Sequence, residues 1–286
     1  MVQNHLTKTS PSNPSISFFK AFQLELILEE KRYTLQKQTK KYQIMRTSNP
    51  VLSEKAFQKV ATTGTFQGSD NVMTVNGTVN KSLMLLGLLI LTAAFSWTMP
   101  LPIFIYGGAI GGLIVALITI FKKEWSPYTA PVYALLEGLC LGAISALFEA
   151  ELAGIVFQAI LLTIGVFATM LFIYKSGWIE VTQNFRMGIA AATGGIALIY
   201  VATILLGFFG IHIPYIHEAG LIGIGFSMFV VVIAALNLVL DFDFIEKGAT
   251  HNLPRYMEWF AAFGLLVTLV WLYLEILRLL SKLNKR

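Results

Sequence analysis

Seven long apolar runs constrain this chain more than any other feature. They fall near residues 79–98, 102–121, 128–148, 153–174, 188–209, 219–240 and 257–279. Each has about 20 residues, the length at which a helix crosses a hydrocarbon core of about 30 Å. Only a helix or a closed barrel satisfies its own backbone in lipid, and runs of this length suit the helix. The expected fold is therefore an all-α integral membrane protein with seven transmembrane helices packed as a bundle. Composition agrees, with 56% hydrophobic and 13% charged residues, against about 25% charged in soluble domains.

Proline and glycine punctuate the runs. Pro100 and Pro102 separate the first from the second, Pro127 and Pro131 lie at the start of the third, where a missing N–H costs little, and Pro214 precedes the sixth. Gly107/Gly111, Gly108/Gly112 and Gly138/Gly142 are paired at helical spacing, which predicts close helix packing. No glycine loop has the strand and lysine context that cradles phosphate. The single cysteine, Cys140, lies within an apolar run and reads as packing. No nucleophile elbow occurs, and His212 and His217 with Glu218 are a poor zinc pattern. The expectation is a protein that is not an enzyme and holds no cofactor.

The basic character belongs to the N-terminal segment. Residues 1–78 carry ten Lys/Arg and five acids, which is the whole net charge of +5. Residues 1–44 read as a basic, disordered extension, although Phe18 to Leu28 has the pattern of an interfacial helix beside anionic lipid. Residues 45–78 read as a cytoplasmic segment whose Thr62–Gly77 stretch is a linker, 79–280 as the membrane domain and 281–286 as a basic tail. No cleavable signal is evident.

Lys and Arg alternate from loop to loop. The first, third and fifth loops have none, whereas the second has Lys122 and Lys123, the fourth Lys175 and Arg186, and the sixth Lys247 and Arg255. The positive-inside rule then puts the N-terminus in the cytoplasm. The plasma membrane is the simplest multi-pass location. Arg278, Lys282, Lys285 and Arg286 oppose this, because seven crossings carry them outside; seven crossings is nevertheless the expectation. Trp178, Glu180 and Arg186 read as an interfacial belt.

The acids carry the functional question, because a carboxylate in a span costs about 2.5–3.5 kcal/mol on insertion scales. Glu137 is near mid-depth of the third run and must be protonated and hydrogen-bonded to a neighbouring helix, or face an ion or proton path. Asp241, Asp243 and Glu246 occupy what reads as an acidic turn, Asp241 to Gly248, after the sixth run. Glu258 opens the seventh run at the same expected depth, and Asn237 shares a face with Asp241. Such a cluster suits transient calcium contact at Asp241 and Asp243, or a shared proton. Glu275 lies 17 residues beyond Glu258, about 25 Å along a helix, and Arg278 is its expected partner.

Three stretches carry a family resemblance: Glu137-Gly-Leu-Cys-Leu-Gly142, Leu240-Asp-Phe-Asp-Phe-Ile-Glu246 and Leu272-Tyr-Leu-Glu-Ile-Leu-Arg-Leu-Leu280. In this order they resemble the transmembrane Bax inhibitor motif, or Bax inhibitor-1-like, family from about Met45 onward. The resemblance implies a bundle with the last helix central and a pH-sensitive calcium leak, in which acids of the sixth and seventh helices share a proton. The sixth-helix acid falls on Asp241 or Asp243. The seventh falls on Glu275 by one alignment, and on Thr268, which is no acid, by another; Glu258 is the substitute suggested by depth. Because the resemblance begins at Met45, residues 1–44 are expected to stem from a misplaced start codon. The leading function is a calcium or cation leak gated by carboxylate protonation, with calcium ions or protons and the lipid bilayer as partners. The alternative is a non-conducting protein that regulates a membrane protease or another membrane partner through residues 45–77.

Overall fold

The computed structural model describes residues 71–210 and 220–285. The extension, its interfacial helix, most of the linker, Pro214, His212, His217 and Glu218 lie outside the described residues. Within them the chain is helical, with seven helices long and apolar enough to cross a membrane: α1 Val75–Thr98, α2 Pro102–Phe121, α3 Ser126–Glu151, α4 Ile155–Lys175, α5 Gln183–Phe208, α6 Leu221–Thr250 and α7 Tyr256–Asn284.

Local chemistry sets the ends. Thr74 caps α1 by accepting from the Gly77 N–H, so the helix starts inside the expected linker. Pro102 opens α2 and Pro127 opens α3, and Thr182 caps α5 through the Phe185 N–H. The Glu149 carboxylate accepts from the Gly154 and Val156 N–H groups at 2.6 and 3.1 Å, satisfying donors that α4 leaves open.

The largest departure from the sequence reading is at α6. The stretch Asp241–Gly248 is no turn: α6 runs unbroken to Thr250, and the reversal is made at His251–Arg255, with Asn252 at positive φ. Nothing between Asp241 and Glu246 breaks a helix, and Asp243 gains an i,i+4 partner in Lys247.

The last helix is central. Of its most apolar window, 72% is buried inside the protein, against 11% for α5. Leu85 and Leu89 of α1, Tyr133 of α3, and Phe263 and Leu266 of α7 belong to the main core. Close approach depends on glycine there: a Cβ on Gly142 would stand 2.0 Å from the Ala93 carbonyl oxygen, and one on Gly108 would stand 2.6 Å from that of Leu136. A second, smaller core joins Ile196 of α5 to Val230 and Ile233 of α6.

The segment before α1 returns to the α6–α7 turn. Val72 bridges Pro254, the Met73 N–H donates to the Leu253 carbonyl at 2.6 Å, and Met73 is buried. This end of the bundle also carries Lys122, Lys123 and Lys175; Glu151, Lys285 and the α5–α6 connection mark the other.

Candidate functional site

The acids singled out in the sequence do not form one cluster. Successive helix residues are about 100° apart, so Asp241 and Asp243 leave nearly opposite faces of α6. They cannot converge on one calcium ion, which corrects that expectation. Among the described residues no group of three metal-ligating side chains occurs.

Asp241 turns into the bundle. It is buried, the Thr268 hydroxyl of α7 is within hydrogen-bonding reach, and its Oδ2 has no partner among the described residues. Thr268 also donates to the Gly264 carbonyl at 3.2 Å. A hydroxyl has one proton to give. A Thr268 that donates to Gly264 is free only to accept from Asp241, as a protonated acid would allow, whereas a Thr268 that donates to Asp241 suits the carboxylate.

Asp243 turns the other way, to α5. Arg186 donates to its Oδ2, and Lys247 Nζ lies 2.7 Å from Oδ1. Arg186 is only 2% exposed, so it is not part of an interfacial belt. Its place in the first turn of α5 was concealed because that helix starts at Gln183, not near 188. Trp178, by contrast, is exposed and sits edge-on to Phe172. Glu246, one turn past Asp243, accepts from the Tyr174 hydroxyl of α4.

Glu258 does not partner the α6 acids. It accepts from the Thr74 N–H and hydroxyl at 2.8 and 2.9 Å and pairs with Lys81, all three groups near the start of α1. The ten residues from Glu258 to Thr268 span about 15 Å of helix, which is the depth error in the sequence reading. Extending α6 past residue 240 carries Asp241 deeper than a loop position would. Gly77 makes room for Glu258, since a Cβ there would stand 2.1 Å from Oε1.

Glu275 meets Arg278 as expected, at 2.7 Å, and also accepts from the Tyr200 hydroxyl of α5 at 2.7 Å. Its Oε2 has no partner among the described residues. Glu137 lies apart from all of these, half-buried on α3 and facing Gly112 of α2, where a Cβ would approach its Oε2 to 2.9 Å. Among the described residues it makes no hydrogen bond to a neighbouring helix.

The profile of the Bax inhibitor 1 like family matches residues 49–285, a span that includes all seven helices. The chain belongs to this family. No curated protein matches it. In this member of the Bax inhibitor 1 like family, the residue that faces the buried α6 acid is Thr268, so no carboxylate of α7 is paired with Asp241. Sequence reasoning missed Lys81, Thr193 and Tyr200. A polar residue that recurs every seventh position from Arg186 through Thr193 to Tyr200 was the available signal for the last two.

Proposed function

We propose that the chain is a pH-sensitive cation leak, with calcium the conducted ion, and that the proton on Asp241 sets whether it conducts. The observation that carries this reading is the buried Asp241, one oxygen unpartnered, against a hydroxyl on α7. Neutral, it fits the α6–α7 seam at little cost; charged, it demands water or a cation, because an uncompensated charge in the interior is strongly destabilising. Its ionisation therefore favours a rearrangement of α6 against α7. A second carboxylate is not required for this, since Thr268 supplies the complementary hydroxyl. On this reading the Asn71 end of the bundle faces the cytoplasm at a plasma membrane, an orientation that the distribution of basic loop residues supports.

The test is calcium entry into proteoliposomes that contain the full-length protein and a calcium-sensitive dye, measured across a pH series. Asp241→Asn keeps the shape and removes the titration, so flux should persist while its pH response flattens. A variant that follows the wild-type pH profile refutes Asp241 as the sensor, and a wild-type protein that passes no calcium at any pH refutes the leak.

A further inference from the structure

The helix least embedded in the bundle carries an ordered set of polar contacts. In α5, Arg186, Thr193 and Tyr200 recur every seven residues and so lie along one face. Arg186 donates to Asp243 of α6, the Asn237 amide of α6 donates to Thr193 at 2.8 Å, and Tyr200 donates to Glu275 of α7. Ile189 and Ile196, between them in register, are the buried apolar residues of this helix. Arg186 to Tyr200 covers about 21 Å of rise, roughly two-thirds of a hydrocarbon core of about 30 Å. A line of hydrogen-bonding groups thus follows α5 across most of the membrane, with a charge pair at each end and an amide–hydroxyl pair midway.

In lipid, apolar side chains give helices little reason to associate, and packing and polar contacts decide which ones stay together. Two isoleucines and three polar contacts are a light attachment for a helix with so little of its surface buried. The central pair is also half-buried: Thr193 and Asn237 are both of intermediate exposure, as is Tyr200 at the outer contact. The acid that holds the inner end of α5, Asp243, is two residues from Asp241 on the other side of α6. A rotation of α6 that relieves Asp241 therefore moves the anchor of α5.

We propose that α5 is a hinged leaf and that the seam it forms with α6 and α7 is the water-lined route for the conducted cation, closed at its ends by Arg186–Asp243 and Glu275–Arg278–Tyr200. This rests on the cation-leak reading for its cargo, but the opening of the seam to water is testable alone. In the bilayer-reconstituted full chain with Cys140→Ser as background, Thr193→Cys is treated with a charged, membrane-impermeant methanethiosulfonate. Thiols react as thiolates, which require water, so Thr193→Cys should react at least about tenfold faster than Leu198→Cys, a position on the same helix that is 71% exposed at the lipid face. Adding Arg186→Gln should speed modification further by unlatching the inner end, and modification at position 193 should block calcium entry. Equal inertness of the two cysteines, with or without Arg186→Gln, overturns the seam and leaves the contacts as adhesive between helices. Rapid modification without any wild-type flux upholds the wet seam and refutes its cargo.

Discussion

Removing the Glu258 carboxylate should loosen the join between α1 and α7, and its cost follows from the contacts. Glu258 is 2% exposed and accepts two hydrogen bonds from Thr74 as well as pairing with Lys81, whose side chain is 16% exposed. Glu258→Ala deprives all of these at once: the Thr74 N–H loses its acceptor, and the Lys81 ammonium loses its counter-charge. Breaking one side of a buried pair costs about 3–5 kcal/mol. Glu258→Gln retains an oxygen for Thr74 and loses mainly the charge, so it should cost about 1–3 kcal/mol. In the double variant with Lys81→Met no orphaned cation remains, and part of the loss should return, a coupling of at least about 1 kcal/mol. Reversible unfolding in mixed micelles, titrated with dodecyl sulfate and followed by circular dichroism, measures the series. A cost below about 1 kcal/mol for Glu258→Ala, the value of a solvated surface pair, would refute the clamp.

Other positions make sharper contrasts. Gly142→Ala must push α3 away from the Ala93 carbonyl oxygen, 2.0 Å from the new Cβ, and should lose about 1–3 kcal/mol in the same unfolding assay, whereas Gly87→Ala, with nothing within 4 Å, should be neutral or gain up to about 1 kcal/mol of helix propensity. Tyr200→Phe removes the 2.7 Å bond to Glu275 and the 3.0 Å bond from Arg278, which should cost about 1 kcal/mol and speed hydrogen exchange in α5 before the rest of the bundle. In a Cys140→Ser background, thiol labelling of intact vesicles should reach Lys285→Cys and Lys122→Cys from opposite sides; labelling of both from one side would refute the seventh crossing.

The seven spans were legible because their signal is additive over about 20 residues and tolerates local error. The glycine pairs were legible for a similar reason: helical spacing alone puts Gly138 and Gly142 on one face, and the face that they present to α1 is the one where a Cβ would collide. Helix ends were less legible. Three apolar residues in the Asp241–Glu246 stretch alternate with acids, and hydropathy averaged over that stretch reports a loop although every residue continues α6. From that one boundary followed the depth of Asp241, the mistaken level of Glu258 and the supposed acidic cluster. Glu275 and Arg278 were found because an i,i+3 pair depends on helix geometry alone. The partners from other helices, Arg186 for Asp243 and Lys81 for Glu258, depend on how the helices are arranged, which periodicity does not encode.

The same partners explain the one objection to the charge pattern. A basic residue biases topology when it stays in water near a membrane face, not when its charge is satisfied within the protein. Of the C-terminal basic residues, Arg278 is paired with the buried Glu275, and Lys282 is buried and donates to the Gly223 carbonyl and the Ser227 hydroxyl at 3.0 and 2.9 Å, whereas Lys285 meets Glu151 at 2.9 Å in an exposed pair. Arg186 and Lys247, counted as loop residues at the other end, are likewise held by Asp243. With these set aside, Lys122 and Lys123 are cations over the Trp125 and Phe260 rings rather than members of ion pairs, and they stand at the Asn71 end. The asymmetry therefore survives correction, and the C-terminal cluster counts for less against seven crossings because Arg278 and Lys282 are tied into α7 and α6, which leaves Lys285 as its one exposed described member. Reading charge as topology requires first asking which charges the fold has already used.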